Sequence, residues 1–301
     1  MKRVLVILMP AVILFLAPPM TKKEQLLQLS KKYFPENYAV LKDYDENAIN
    51  EQAHGDSLNE FIPDVSTIIH EAYHHYQGLH SSYYDVSVLY RINDTLSFTI
   101  KNFKTFPAIE INNLVPAATR KRIFRYDMYI NTAVKQLVTQ QFGILGLLEE
   151  CIAYYQSFST EISIFNYYQD KYGWKDPDAW INYLGNMGSY RYSVLEFELF
   201  ISWYMQYAKA KHPGTYRAII TDPGLKKLFV FLEKEQIRLP ALYDEHRATI
   251  LKQCSGQLQV KDNYVFNLKS HNGKGLYDSE VNAMSSLLKK PEHRILDVLK
   301  K

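Results

Sequence analysis

One short segment, His70-Glu71-Ala72-Tyr73-His74, limits the folds open to this chain more than any other. In a helix, His70 and His74 lie one turn apart on the same face, so both imidazoles can reach one metal ion. Glu71 is then rotated by about 100° around the helix, beside the open side of that metal. The spacing therefore predicts a helix that presents one face to a metal site.

This spacing resembles the His-Glu-x-x-His motif of the zincin metallopeptidases. In that family the two histidines bind zinc, and the glutamate is the general base that activates water for attack on a peptide bond. The resemblance implies that His70 and His74 are metal ligands and that Glu71 is the catalytic base. The expected substrate is a peptide or a protein.

A third ligand is needed, because a catalytic zinc site usually has three protein ligands and a water molecule. Gluzincins take this ligand from a glutamate on a downstream helix, in a pattern such as Glu-Gly-x-Ala. The segment Glu150-Cys151-Ile152-Ala153 resembles it, with Cys151 at the glycine position. Small residues at helical spacing from Glu150, such as Gly146 and Ser157, would let this helix approach the motif helix closely. The resemblance favours one Zn²⁺ held by His70, His74 and Glu150.

Two alternatives for the third ligand stay open. Glu149 directly precedes Glu150. His80 follows His74 by six residues, which is the spacing of the metzincins, but Gln77 stands where that family has a glycine. His75 is expected to point to solvent.

The family also uses a Tyr, His or Arg to stabilise the oxyanion that forms on the substrate. Four downstream residues are candidates for this donor, and the sequence does not rank them. They are Tyr190, Arg191, Tyr192 and His212.

Composition sets the broad class of the protein. The chain has 301 residues, of which 47% are hydrophobic, so it can bury a substantial core. The net charge is only +3 and the basic residues are scattered, which argues against a nucleic-acid partner. The two cysteines, Cys151 and Cys254, are either one disulfide or two buried thiols.

The N-terminus resembles an export signal. Lys2-Arg3 precedes an unbroken apolar run from 4 to 17, which is short for a membrane span of about 20 residues. Residues 1–20 are therefore interpreted as a signal peptide or an N-terminal membrane anchor. The expected location is extracytoplasmic: secreted, periplasmic or membrane-anchored.

The remaining patterns predict an α+β fold that is mainly helical. The motif helix should run from about Asp64 to Gln77 and end near Gly78, and alternating residues between Asp85 and Ile111 predict a hairpin beside it. An edge strand of that hairpin could pair with an extended peptide substrate. Residues 21–175 are expected to form a zincin-like catalytic domain, and residues 176–301 a mainly helical C-terminal part.

Several segments give more specific predictions. A strand is expected at 38–41, a further edge strand at 107–111 and a long helix from Pro116 to Gln141. In the C-terminal part, separate helices are expected at 223–235 and 240–252, and a strand at 258–268.

The sequence thus predicts a zinc-dependent peptidase. One alternative is a non-catalytic exported binding or scaffold protein with a degenerate motif. Another is a di-iron helical bundle that uses Glu71-Ala72-Tyr73-His74 as a Glu-x-x-His motif, but such a bundle needs that motif on two core helices.

Overall fold

A computed structural model describes residues 20–300. The predicted export signal or anchor, including the apolar run 4–17, lies almost entirely outside the described residues. The α-helices are α1 (Lys22–Tyr33), α2 (Tyr38–Lys42), α3 (Glu46–Gln52), α4 (Leu58–Phe61), α5 (Val65–His80), α6 (Ala117–Arg120), α7 (Tyr126–Tyr129), α8 (Val138–Phe142), α9 (Ile144–Ser163), α10 (Phe165–Tyr172), α11 (Pro177–Lys211), α12 (Pro213–Thr221), α13 (Pro223–Gln253) and α14 (Asp278–Leu288). The strands are β1 (Ser87–Arg91), β2 (Ser97–Lys101), β3 (Leu258–Lys261), β4 (Tyr264–Asn267) and β5 (Gly273–Gly275). Short 3₁₀ helices occupy Pro35–Asn37, Ile62–Asp64, Ala108–Leu114 and Pro291–Val298.

Helix α9 is the centre of the fold. It packs against α5 on one side and against α11 on another, and eighteen of its twenty residues are buried. A helix buried all round must find partners for its polar groups, and α9 carries three buried glutamates: Glu149, Glu150 and Glu161. The carboxylate of Glu161 accepts hydrogen bonds from Ser66 of α5 and Asn186 of α11, so it joins three helices.

The predicted mainly helical α+β class, with a small antiparallel sheet beside the motif helix, is confirmed. One hydrophobic core contains buried residues from both sides of residue 175. The division into two parts at that residue stays a prediction.

Of the two small residues expected to bring α9 close to α5, only one lies at that contact. The Ser157 hydroxyl donates to the Ser66 carbonyl of α5 at 2.8 Å, so this small residue does lie at the contact. Gly146 faces α8 instead, where an added Cβ would meet the Val138 carbonyl oxygen at 2.2 Å. The stripe of small residues on α9 therefore serves two neighbouring helices.

The motif helix α5 is longer than predicted. It begins at Val65, after the 3₁₀ turn, and it continues through Gly78 to His80. Gly78 is thus an interior residue of the helix, and the prediction that it ends the helix is wrong. The backbone N–H of Ser81 closes the last turn by donating to the Gln77 carbonyl.

The hairpin is confirmed, with β1 and β2 antiparallel and Val88 opposite Ile100. Its pairing with a substrate stays a prediction, and side chains of the protein already bond part of each edge. On β1, the Gln77 side chain bonds the Leu89 carbonyl and the Arg91 N–H. On β2, the Lys101 N–H donates to Asp222.

Three predicted elements before residue 145 are wrong. Residues 38–41 form helix α2, whose three central residues are buried, and a short apolar run does not distinguish a strand from a buried helix. Residues 107–111 belong to a 3₁₀ helix rather than an edge strand. The stretch 116–141 contains only the short helices α6, α7 and α8. Between these helices, residues distant in the sequence hydrogen-bond the backbone of this stretch. The Tyr192 hydroxyl, for example, donates to the Arg122 carbonyl.

In the C-terminal part, helices expected at 223–235 and 240–252 are one helix, α13, which contains Pro240. The strand expected at 258–268 is the hairpin of β3 and β4, to which β5 adds a third strand. Cys151 and Cys254 are buried free thiols. Within residues 20–300, none of the helices has the length and apolar character needed to cross a membrane.

Candidate metal centre

Two helices bring the candidate ligands together. Helix α5 carries His70 and His74 one turn apart, and α9 carries Glu150 against them. The two Nε2 atoms are 3.2 Å apart. The Glu150 Oε2 atom lies 3.6 Å from the Nε2 of His70 and 3.5 Å from that of His74. The three atoms thus form a nearly equilateral triangle.

The sides of this triangle are close to those of one face of a metal coordination tetrahedron. Zinc binds nitrogen and oxygen at 2.0–2.2 Å, so two ligand atoms of a tetrahedral site are separated by about 3.3–3.5 Å. The Glu150 Oε2 atom is buried, with no hydrogen-bond partner among the described residues. A buried carboxylate oxygen normally has a partner. His70, His74 and Glu150 can therefore hold a metal ion.

The electrostatics of the triangle favour an ionised Glu150. Burial by itself raises the pKa of this carboxyl, but the imidazoles of His70 and His74 outweigh burial and lower it. For His74, burial alone would lower the pKa, and the carboxylates of Glu149 and Glu150 raise it. A bound cation would replace the proton that these carboxylates otherwise attract to His74.

Glu149 does not share the ligand face of Glu150. Its Oε1 atom lies 2.7 Å from the Nδ1 of His74, on the opposite side of that ring from Nε2. The Tyr83 hydroxyl donates to the other oxygen of Glu149. The two hydrogen bonds that link Tyr83, Glu149 and His74 therefore fix the orientation of the imidazole and direct its Nε2 atom to the triangle.

His70 is positioned by packing. The Tyr154 ring meets it edge to face with centroids 4.4 Å apart, and the Arg125 guanidinium covers Tyr154 at 4.5 Å from its centroid. The Nδ1 atom of His70 is buried without a hydrogen-bond partner among residues 20–300. The two imidazoles are thus held by different means.

A cleft of about 340 Å³ opens beside His70 and Glu71. Its wall is formed by Thr67, His70, Glu71, Arg125, Met128, Tyr129, Tyr154, Asn186, Ser189 and Tyr190. Glu71 is exposed. The cleft therefore gives access from solvent to the side of the candidate metal centre that carries His70.

Among the four candidate oxyanion donors, the structure brings only Tyr190 to the cleft, where its hydroxyl lies 3.1 Å from that of Thr67. Arg191 faces Asp244 and Asp278 instead. Tyr192 is buried and bonds a backbone carbonyl, and His212 pairs with Glu110. These three predictions are wrong.

Two histidines of α5 lie apart from the triangle. His80, the alternative third ligand, packs on Tyr76 at the C-terminal end of the helix and does not belong to the metal-binding group. His75 is exposed, as predicted, and its ring lies beside Tyr44.

Sequence reasoning missed two further tyrosines of the cleft. Tyr129 and Tyr154 bring their hydroxyls within 3.4 Å of each other. Tyr154 stands one turn after Glu150, and this spacing could have identified it. Tyr129 belongs to the stretch that was predicted as one long helix, and it has no motif that marks it as a site residue.

Comparison of the chain with protein-family models, curated proteins and solved structures gave no match.

Proposed function

We propose that this chain is a zinc-dependent peptidase with a zincin-like, gluzincin-type site. His70, His74 and Glu150 hold one Zn²⁺, and Glu71 is the general base. The observation that supports this most strongly is the triangle of ligand atoms, with sides of 3.2, 3.5 and 3.6 Å. Its dimensions match a tetrahedral zinc site.

The chemistry is divided between the metal and the chain. When bound, zinc supplies a Lewis acid and lowers the pKa of a bound water to about 7. Glu71, exposed in the cleft next to His70, accepts the proton of the attacking water. It then passes this proton to the amine that leaves when the peptide bond breaks.

Tyrosine hydroxyls of the cleft can donate to the oxyanion. Burial raises the pKa of Tyr190 to about 12. Burial also raises the pKa of Tyr129, which in addition faces the negative charge of Glu150. Both residues keep their protons at neutral pH, as a hydrogen-bond donor must.

The alternatives lack comparable support. A di-iron bundle needs carboxylates from two Glu-x-x-His motifs, and the described residues contain a single group with metal-ligand spacing. A binding or scaffold protein would hold the same metal group without hydrolysis, and the experiment below distinguishes it from a peptidase. The export signal proposed at residues 1–20 would make this an extracytoplasmic peptidase.

The experiment that tests this function separates zinc binding from hydrolysis. Glu71→Gln should leave zinc near one equivalent and abolish cleavage of an unfolded protein substrate. Zinc is measured by atomic emission and cleavage by mass spectrometry, with zinc-loaded wild-type protein as the reference. Cleavage by the variant at the wild-type rate would refute the role of Glu71, and no cleavage by wild-type protein would refute the function.

A further inference from the structure

Arg125 is a buried cation in the wall of the cleft. It lies at the start of α7, only 6% of its surface is exposed, and it shares the cleft with His70 and Glu71. No motif in the sequence marks this residue. Its position means that any substrate in the cleft lies close to a guanidinium group.

The guanidinium is held rigidly from one side. Its Nη1 atom donates to the Oε2 atom of Glu196 at 2.7 Å, and the Arg125 backbone N–H donates to Oε1 of the same carboxylate. Glu196 is fully buried in α11. The rings of Phe124 and Tyr154 lie against the guanidinium, 5.5 and 4.5 Å from its carbon atom.

The protein leaves several donors of Arg125 without a partner. A guanidinium has five N–H groups, and within residues 20–300 this one donates a single side-chain hydrogen bond, to Glu196. Its Nε atom is buried there without a partner. A fixed planar fork with free N–H groups matches the two oxygens of a carboxylate.

The charges around the cleft determine how a ligand would be recognised there. Glu196 neutralises Arg125 from its buried side, and the acid in the wall of the cleft is the exposed Glu71. Because this wall has little net charge, attraction at long range is weak, and selectivity depends on hydrogen-bond geometry. Near Glu71 a second carboxylate is repelled, so Arg125 is the place in the cleft where one is accepted.

We propose that Arg125 binds a carboxylate of the peptide substrate, presented by either the C-terminus or an acidic side chain. This inference rests on the proposed function, since it assumes that a peptide occupies the cleft. Glu196 acts through Arg125, as the residue that positions the guanidinium.

Peptide retention without turnover tests the proposal. Zinc-loaded Glu71→Gln protein is mixed with equal amounts of randomised hexapeptides that have a free C-terminus or a C-terminal amide. Peptides retained on ultrafiltration are identified by mass spectrometry. We expect roughly tenfold or greater enrichment of free acids if the C-terminus binds, as expected for one charge-assisted hydrogen bond. Binding through a side chain would instead enrich Asp and Glu at one position in both sets.

Adding Arg125→Lys should abolish either enrichment, because an ammonium retains the charge beside Glu196 but loses the planar fork. Arg191→Lys is the matched control, since Arg191 lies outside the cleft, and it should leave the enrichment unchanged. If Arg125→Lys does not fold, the double variant Arg125→Met with Glu196→Met removes both buried charges together and should have the same effect.

Three results would overturn the proposal: retention of acids and amides alike, enrichment that survives Arg125→Lys, or no retained peptide. Retention does not depend on hydrolysis. A wild-type protein that cleaves nothing would refute the proposed function, whereas retention would still report on Arg125.

Discussion

Adjacent residues Glu149 and Glu150 illustrate how a helix separates two roles. Successive side chains on a helix point about 100° apart. Glu150 therefore faces the two Nε2 atoms, while Glu149 reaches the Nδ1 atom of His74. The sequence supplied both as candidates for one role, and their difference depends on where α5 lies relative to α9.

The hydrogen bonds that link Tyr83, Glu149 and His74 should affect the affinity for zinc. Tyr83→Phe removes the hydroxyl that donates to Glu149, so the carboxylate holds the imidazole less firmly. We expect zinc affinity to fall by roughly tenfold, the lower end of the range for residues that orient metal ligands, while stoichiometry stays at one. Competition with a chelating dye measures this affinity.

Tyr84→Phe is the control for that substitution, because Tyr84 is the neighbouring tyrosine and 84% of its surface is exposed. It should bind zinc like the wild-type protein. Equal affinities for both variants would mean that Tyr83 contributes nothing to the site.

At the scale of elements, Gly146 and Gly78 are a matched pair of helical glycines. At Gly146 an added Cβ meets the Val138 carbonyl oxygen of α8 at 2.2 Å, whereas at Gly78 no atom lies within 4 Å of it. Gly146→Ala should therefore destabilise the protein by about 1–3 kcal/mol through overpacking. Gly78→Ala should stabilise it by about 0.5–1 kcal/mol, because alanine is the better helix former.

Urea unfolding of both variants measures these changes in the free energy of unfolding. The opposite sign at Gly78 would indicate that this residue ends the helix after all. An unchanged free energy of unfolding for Gly146→Ala would show that α8 shifts at little cost to make room for the added methyl group.

Periodicity explains which elements could be predicted from the sequence. The alternation in β1 and β2 and the helical pattern of α9 depend on neighbouring residues, so both were identified. The short helices of 116–141 depend on distant partners, such as the Glu196 carboxylate that accepts from the Arg125 backbone. No local pattern encodes a contact across seventy residues.

At the scale of the whole molecule, the candidate site depends on the packing of α5, α9 and α11. The motif and the Glu-x-x-Ala segment identified the three residues of the candidate metal centre, because each pattern lies within one helix and has a local signature. The walls of the cleft come from distant segments that include Arg125, Tyr129 and Tyr190. Only the assembled fold brings these side chains to the candidate ligands. Of these three wall residues, Tyr190 alone was identified from the sequence.

The zinc content of purified Glu150→Gln protein tests whether His70, His74 and Glu150 form a metal centre, with Glu149→Gln as the control on the adjacent residue. We predict one equivalent of zinc in wild-type protein, a large loss in Glu150→Gln because a ligand is removed, and close to one equivalent in Glu149→Gln at saturating zinc. Atomic emission measures the metal, and circular dichroism verifies that each variant is folded. Full zinc occupancy in folded Glu150→Gln, or a wild-type protein that binds no zinc, would contradict the assignment of His70, His74 and Glu150 as the metal centre.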